Sequence, residues 1–291
     1  MKIAACQMVS GPDVAANLAA ARRLLEAAAA QGARLAALPE YFCLMGQHDS
    51  DKLAVAETPG QGPIQAMLAQ AARELGLWVI GGTLPMKSTT GRPRVDLPPS
   101  GGGAGEPAPG GSISAEQPDR VRNTTLVFSP AGEVVARYDK IHLFAYDNGR
   151  ESYDEARVLE AGSQPTVFDA DTVRTGLSVC YDLRFPELFR RYAPCDLIAV
   201  PAAFTYTTGE KHWELLLRAR AVENQCYVIA PAQGGRHENG RRTWGHSMVV
   251  DPWGEVLAQL PEGEGVVCAE LDPQRLAQVR QQLPALQHRK L

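Results

Sequence analysis

Short apolar runs and longer amphipathic segments alternate along most of the chain. The apolar runs have the length of buried strands and occupy residues 3–8, 34–38, 77–81, 173–180, 197–201, 226–230 and 266–271. The amphipathic segments predict helices over residues 13–31, 63–75, 210–224 and 272–282. Asp13 before the first of these helices and Gly32 after it are typical of helix ends. Strands that alternate with amphipathic helices indicate a layered α/β fold.

Two turn sequences predict β-hairpins within this pattern. Ser129-Pro-Ala-Gly132 separates two strand-like runs, and Asp251-Pro-Trp-Gly254 separates two more. Gly and Pro between such runs are typical of a chain reversal. Because a hairpin joins antiparallel strands, we expect mixed sheets rather than purely parallel ones.

One segment interrupts the alternation of helices and strands. Residues 91–118 read GRPRVDLPPSGGGAGEPAPGGSISAEQP and are dominated by Gly, Pro and Ser. Such a composition cannot bury enough apolar surface to offset the entropy lost on ordering. We therefore expect a flexible surface insertion within a single domain that spans residues 1–291. A linker between two domains is the competing interpretation, and it is weaker because the sheet predicted before the insertion needs further strands.

Composition and charge exclude several classes of function. The chain has 291 residues, is 45% hydrophobic and 21% charged, and carries a formal net charge of -4. A nucleic-acid-binding surface needs clustered Lys and Arg, which this balance does not favour. No run approaches the ~18 apolar residues of a membrane helix, and the apolar start MKIAACQM is too short for a signal peptide. The six cysteines show no CxxC spacing, so we expect free thiols, no metal site of the zinc-knuckle type and a cytoplasmic location.

Cys180 is the cysteine whose surroundings differ from those of a core residue. It ends a predicted strand, and polar residues and a predicted helix start at Pro186 follow it. The positive end of a helix favours a thiolate. A cysteine taken at random is more often a small core residue, an interpretation that fits Cys6, Cys226 and Cys268.

A thiol needs a base or a positive neighbour before it can act as a nucleophile. Histidine is the usual partner, and His142 stands two residues after Lys140. A carboxylate base with a lysine is the other solution, and Glu40 and Lys140 each follow a predicted strand. Sites of open α/β sheets lie at such strand ends. Each charge taken alone is more often a solvated loop residue, and spacing alone does not bring the three side chains together.

Three segments resemble the signature segments of the nitrilase superfamily of carbon–nitrogen hydrolases, in the same order. They read LPEYF at 38–42, KIHLF at 140–144 and GLSVCYDLRFPE at 176–187. The resemblance implies a four-layer α-β-β-α sandwich with two mixed β-sheets, which pairs into a homodimer or a higher homo-oligomer. It also implies a Glu-Lys-Cys triad at Glu40, Lys140 and Cys180, a second glutamate, Glu151, that supports the lysine, and no metal or organic cofactor.

Within the superfamily, residues 212–224, 233–237, 244–254 and 283–289 are most similar to deaminated glutathione amidases. The similarity implies hydrolysis of a small linear amide through a cysteine thioester, with release of ammonia. Tyr181, Phe204 and Thr205 are predicted to bind the substrate. The expected partners are a small-molecule amide and further copies of the chain, and not nucleic acid or a membrane. The insertion at 91–118 departs from the usual pattern of the family.

Other activities remain open on the same residues. An omega-amidase or an N-carbamoyl amidase would use the same scaffold and the same triad. A catalytically silent binding protein is the alternative of another class, and the presence of all three triad residue types speaks against it. A redox-sensing thiol at Cys180 is a further alternative.

Overall fold

The computed structural model of the chain describes residues 1–88 and 120–290. The whole of the insertion predicted at 91–118 falls between these two ranges, and the prediction for it lies outside the described residues. The described part is built around two β-sheets, with helices on both outer faces.

The first sheet contains seven strands within the described residues. They are β1 (Lys2–Gln7), β2 (Leu35–Ala37), β3 (Trp78–Ile80), β4 (Leu84–Lys87), β5 (Val121–Phe128), β6 (Val134–Asp139) and β17 (Gly265–Glu270). Strands β1, β2 and β3 run parallel in the middle of the sheet. β17 pairs with β1, and both β4 and β6 pair with β5. All three of these pairs are antiparallel. The sheet is therefore mixed, as predicted.

The second sheet contains six strands in the described ranges. They are β9 (Val167–Ala170), β10 (Val173–Leu177), β11 (Leu197–Ala199), β12 (Tyr227–Ala230), β15 (Ser247–Val250) and β16 (Val256–Leu260). The central strands β10, β11 and β12 are parallel, and the flanking pairs are antiparallel. Both predicted hairpins are present, as β5–β6 and β15–β16.

The helices cover the outer faces of the two sheets. They are α1 (Val14–Ala30), α2 (Asp51–Ala54), α3 (Pro63–Leu75), α4 (Pro186–Arg190), α5 (Tyr206–Asn224) and α6 (Pro273–Gln282). The first of them starts at Asp13, whose carboxylate accepts from the backbone N–H of Ala16 at 3.1 Å. Gly32, with a φ of +82°, follows the end of the same helix. Both helix ends lie where the sequence predicted them.

The alternation of side chains along β1 shows how the layers are held together. Ile3 and Ala5 point toward the second sheet, into a core that continues through that sheet to Trp213 and Leu217 of α5. Ala4 and Cys6 point the other way, into a core beneath α1 and α3. Because successive strand residues face opposite sides, one apolar strand serves both cores. The result is an α-β-β-α sandwich, which confirms the predicted fold class.

Two short antiparallel ribbons lie outside the main sheets and were not predicted. One joins β7 (Ala145–Asp147) to β8 (Ser152–Asp154), and the other joins β13 (Gly234–Arg236) to β14 (Arg242–Trp244). Their polar three-residue strands lack the apolar alternation that marks a strand in a sequence. No helix within residues 1–88 and 120–290 is long and apolar enough to cross a bilayer.

Candidate active site

The candidate site lies where strands of both sheets end. Glu40 follows β2 of the first sheet, and Cys180 and Ala203 follow β10 and β11 of the second. β2 runs parallel to β1 and β3, and β10 runs parallel to β11, so within each sheet the carboxyl ends of these strands lie along one edge. Residues just beyond such ends face a common crevice. Packing the two sheets together brings these ends to one place.

The turn after β2 is held against the next strand by a close backbone approach. Gly82 has a φ of +54°, and a Cβ there would lie 2.2 Å from the carbonyl oxygen of Pro39. Only glycine avoids this collision. The backbone N–H of Tyr41 donates to the Thr83 hydroxyl at 2.9 Å. Together these contacts fix the direction in which the Glu40 side chain leaves the chain.

Glu40 is buried, and its carboxylate accepts three hydrogen bonds from fixed donors. Its Oε1 accepts from Asn123 Nδ2 and from Lys140 Nζ, both at 2.9 Å. Its Oε2 accepts from the backbone N–H of Ala203 at 3.0 Å. Burial raises the pKa of Glu40 above its usual value, although the Lys140 ammonium opposes the shift.

Lys140 lies between two carboxylates, and the second is Glu155, not Glu151. Its Nζ contacts Glu40 at 2.9 Å and the two oxygens of Glu155 at 3.0 and 2.8 Å. Burial alone would lower the pKa of Lys140, but the two carboxylates outweigh it and hold that pKa well above its usual value. Lys140 is therefore a permanent ammonium at neutral pH.

The assignment of Glu151 as the support of the lysine is wrong in this structure. Its carboxylate accepts from the Thr207 hydroxyl at 3.2 Å instead. Glu151 precedes β8, whereas Glu155 follows it, and only the second position faces Lys140. Glu155 also accepts from the Tyr41 hydroxyl at 2.5 Å and from the backbone N–H of Phe144 at 2.7 Å.

The two carboxylates beside Lys140 differ in their ionisation. Burial works to raise the pKa of Glu155, but the Lys140 ammonium, the Phe144 N–H and the Tyr41 hydroxyl lower it below the usual value. The pKa of Glu40 is shifted in the other direction. Neighbouring acids with pKa values pushed apart take different chemical roles. Glu155 is suited to remain charged, and Glu40 to exchange a proton.

Cys180 opens a short 3₁₀ turn, Cys180–Arg184, directly after the end of β10. Its φ of +48° is the left-handed conformation that a non-glycine residue rarely adopts. Cys180 is 8% exposed, and the Glu40 carboxyl lies close enough to act on the ionisation of its thiol. Burial raises the pKa of Cys180 well above its usual value, the Glu40 carboxylate adds to the shift, and Lys140 opposes it. The resting group is thus a thiol beside a base.

A buried carboxylate connects the turn that carries Cys180 to the segment that carries Lys140. Asp182 accepts from the backbone N–H of Val179 at 2.8 Å and from the Tyr138 hydroxyl at 2.7 Å. It also contacts the backbone N and the ring Nδ1 of His142 at 3.0 and 2.7 Å. His142 is thus paired with Asp182, and the carboxyl group that acts on the Cys180 thiol is that of Glu40.

Glu40 and Cys180 line a cleft with two lobes, which share Phe144, Cys180, Ala203 and Thr205. The larger lobe has about 570 Å³ of space free of protein atoms, open solvent at its mouth included, and the smaller about 210 Å³. The larger lobe is further lined by Glu40, Tyr41, Met45, Asp49, Lys52, Tyr153, Asp154, Glu155, Arg241, Arg242 and Thr243. The smaller lobe is further lined by Tyr181, Arg184, Phe204 and Thr208. Both lobes reach Cys180, so a small molecule bound in either would lie beside the sulfur.

The structure places all three predicted substrate-binding residues on this cleft. Thr205 lines both lobes, and Tyr181 and Phe204 line the smaller one. Phe204 also packs on Trp213 with ring centroids 4.8 Å apart, so part of its ring serves the core. Among residues 1–88 and 120–290, no group of three or more His, Cys, Asp or Glu side chains is arranged to hold a metal ion.

Sequence reasoning missed three contributors to the site. Asn123 lies inside β5, a strand that reads as an ordinary part of the sheet. Ala203 acts through its backbone N–H, which no side chain reveals. Glu155 is one of several acids in a polar stretch. A buried Asn in a strand was the one available signal, because a buried amide needs partners.

The family model of carbon–nitrogen hydrolases matches residues 2–281 of the chain. A deaminated glutathione amidase of Synechocystis sp. is 40% identical over 98% of this chain and 97% of its own length. An omega-amidase of Xenopus laevis is 34% identical over 99% of this chain and 95% of its own length. Both similarities extend over almost the whole of each protein.

Solved structures show the same fold. A member of branch 10 of the nitrilase superfamily from Saccharomyces cerevisiae superposes with a TM-score of 0.82 at 29% identity, over 100% of this chain and 97% of the other. An amidase from Nesterenkonia sp. AN1 superposes with a TM-score of 0.71 at 27% identity, covering 98% of each chain. That structure is of a Glu-to-Gln mutant with acrylamide added at its active-site cysteine.

Proposed function

The chain belongs to the carbon–nitrogen hydrolase family, and on that premise we propose that it is an amidase whose catalytic residues are Glu40, Lys140 and Cys180. One observation carries the proposal: a buried lysine donates to a buried carboxyl group whose pKa is raised, and that carboxyl group acts on the buried Cys180 thiol. Glu155 completes the set by keeping Lys140 charged. The whole chain, residues 1–291, would act as one hydrolase domain.

Acylation begins with transfer of the Cys180 thiol proton to Glu40. The sulfur forms a bond to the amide carbonyl carbon, and the carbonyl oxygen takes the negative charge. The Lys140 ammonium and a backbone N–H near Tyr181 would stabilise this oxyanion, and loss of one such donor typically lowers the rate by ~10²- to 10³-fold. Glu40 then gives its proton to the nitrogen, the carbon–nitrogen bond breaks, and a thioester remains on Cys180.

Deacylation reverses these roles with water as the nucleophile. Glu40 takes a proton from water, the oxygen attacks the thioester carbonyl, and the carbon–sulfur bond breaks. The sulfur recovers the proton from Glu40, and the carboxylic acid leaves. One carboxyl group that both accepts and donates a proton needs a pKa close to the working pH, and the upward shift at Glu40 favours this.

We propose deaminated glutathione as the substrate, because relatives of this name match over nearly their full length. Guanidinium groups in both lobes, Arg184 and Arg242, suit a substrate that is anionic at both ends. In deaminated glutathione a secondary amide joins a 2-oxoglutaryl group to cysteinylglycine, so the leaving amine is cysteinylglycine. The release of ammonia that the sequence predicted applies only to primary amides, such as 2-oxoglutaramate. Hydrolysis of 2-oxoglutaramate by an omega-amidase activity is the second candidate function.

The test measures 2-oxoglutarate formed from both amides by the wild type and by Cys180→Ala and Cys180→Ser. We expect turnover by the wild type, a higher kcat/KM for deaminated glutathione than for 2-oxoglutaramate, and no turnover by the variants. The control is thermal unfolding of both variants, which should match the wild type. Full activity in either variant would remove the mechanism, and the reverse substrate preference would favour an omega-amidase.

We also propose that the protein forms a homodimer and is cytoplasmic. On α5, Leu215 and Val222 are 67% and 49% exposed and lie two helical turns apart on one face. Trp253 is 53% exposed in the turn that packs beside this face, since the Gly254 carbonyl accepts from Arg218 at 2.8 Å. We propose that a second copy of the chain covers this patch in a homodimer. The six free cysteines fit a reducing cytoplasm.

A further inference from the structure

The outer part of the larger lobe carries more positive than negative charge. Lys52, Arg241 and Arg242 line it together with two aspartates. Asp49 is shared, because it accepts from Arg241 at 2.8 Å and from Lys52 at 3.4 Å. The other aspartate, Asp154, is held outside this group, by Arg157 at 3.2 Å. The three cations are therefore paired with two carboxylates, that of Asp49 and, 3.8 Å from Arg242, that of Glu262.

Arg242 is the cation with the fewest partners in this group. Its closest carboxylate, that of Glu262, lies 3.8 Å away, beyond hydrogen-bond distance. Its Nε is buried and has no hydrogen-bond partner in the part of the chain that the structure describes. The guanidinium lies over the ring of Tyr206 at 3.7 Å, which holds it in place and leaves its terminal NH₂ groups without a hydrogen bond to a carboxylate. A guanidinium held this way is suited to binding a carboxylate.

The two lobes differ in size in the way that the two halves of the proposed substrate differ. The larger lobe has more free space, about 570 Å³ against about 210 Å³ with open solvent included, so we place the dipeptide amine there and the five-carbon acyl group in the smaller lobe. An extended dipeptide spans roughly 7 Å, so its terminal carboxylate lies well away from the reacting atoms. The cationic part of the larger lobe is the region where that carboxylate would lie.

We infer that Arg242, with Arg241 beside it, forms a subsite that binds the carboxylate of the leaving amine and selects amides of short carboxylate-terminated peptides over primary amides. The inference rests on the proposed function and adds to it the residues that distinguish two amidase activities. Lys52 helps to hold Asp49, which in turn orients Arg241. Arg242 is the direct ligand of the carboxylate.

The test uses two substrates that differ in one charge, deaminated glutathione and its C-terminal N-methylamide, with 2-oxoglutarate as the common product. For the wild type we expect a kcat/KM that is higher for the carboxylate. Arg242→Gln should lower the value for the carboxylate by roughly 10- to 100-fold and the value for the N-methylamide by much less. Arg242→Lys should recover part of the loss, since it keeps the charge and lacks the planar fork.

Arg174→Gln is the matched control, because Arg174 is also a half-exposed strand arginine, facing the Asp169 carboxylate at 3.9 Å, outside the cleft. Arg174→Gln should leave the kcat/KM unchanged for both deaminated glutathione and its N-methylamide. Calorimetry in the Cys180→Ala background should show weaker binding of intact deaminated glutathione when Arg242→Gln is added. Equal losses for both substrates, or none, would overturn the subsite alone. A wild type that produces no 2-oxoglutarate from either compound would overturn the proposed function, and the subsite with it.

Discussion

At the scale of single residues, the sharpest prediction comes from the finding that Glu155, and not Glu151, contacts Lys140. Glu155→Gln removes the charge that balances Lys140 and leaves the ammonium with Glu40 alone. Glu40 then pairs more strongly with the lysine and becomes a weaker base. We expect kcat/KM to fall by roughly 10²-fold or more, measured as 2-oxoglutarate formation.

Glu151→Gln is the control for this substitution. Its carboxylate contacts Thr207 and not Lys140, so activity should stay near that of the wild type. A larger loss for Glu151→Gln than for Glu155→Gln would show that the wrong glutamate has been assigned to the lysine.

The ionisation of Glu40 gives a second prediction at this scale. Its carboxylate must be free of a proton to accept one from Cys180, and burial raises its pKa above the ordinary value of 4.5. The kcat/KM of the free enzyme should therefore rise with pH through an acid limb whose midpoint lies above 4.5. The raised pKa of Lys140 keeps the ammonium intact on the alkaline side.

Asn123→Leu tests the assignment of that limb. It removes a donor to the charged form of Glu40, so the midpoint should move to higher pH. A limb at or below 4.5, or one that Asn123→Leu leaves in place, would mean that another group controls the acid side.

The sequence allowed Glu40, Lys140 and Cys180 to be proposed because each sits in a recognisable segment at a strand end. It did not separate Glu151 from Glu155, because both are acids in one polar stretch and only the folded ribbon β7–β8 decides which faces the lysine. The raised pKa of Cys180 also bears on the alternative of a redox sensor. A buried thiol that is not ionised reacts poorly with peroxide.

At the scale of elements, the 3₁₀ turn Cys180–Arg184 is held by Asp182 against the segment that carries Lys140. Asp182→Asn keeps the size of the side chain but presents an NH₂ group to N–H or O–H donors. We expect a loss of about 1–3 kcal/mol in the free energy of unfolding. We also expect kcat to fall with little change in KM, because Cys180 and Lys140 lose their alignment.

Thermal unfolding and steady-state kinetics of Asp182→Asn measure both effects. Asp169→Asn, at a carboxylate that is 63% exposed on β9, should change neither. If Asp182→Asn lowers the melting temperature but leaves the kcat of the folded enzyme intact, then Asp182 stabilises the fold without positioning the nucleophile.

Long apolar and amphipathic segments were predictable at this scale, and short polar ones were not. The helix predicted over residues 63–75 is α3 (Pro63–Leu75), bounded by Pro at its start and Gly76 after its end. The ribbons β7–β8 and β13–β14 have three-residue strands that no periodicity marks. They form part of the wall of the larger lobe, so the substrate-facing surface was the part of the molecule least visible in the sequence.

At the scale of the whole molecule, the exposed patch on α5 gives a prediction about assembly. Leu215→Glu places a charge in the proposed contact between two copies, and burial of an unpaired charge is strongly unfavourable. Light scattering should show a dimer for the wild type and a monomer for this variant. Val135→Glu, at a residue that is 46% exposed on β6, should remain dimeric. A monomeric wild type, or dissociation by both variants, would contradict the proposed contact.

The three groups that we propose as catalytic are divided between the two halves of the sandwich. The first sheet supplies the acid and the ammonium, and the second supplies the sulfur. A slip of about 1 Å between the layers would separate them, and misplacement on that scale lowers rates by roughly 10²-fold. Catalytic activity should therefore be more sensitive than secondary structure to small shifts between the two sheets. On gentle heating the enzyme should lose its activity at a lower temperature than its far-UV circular dichroism signal.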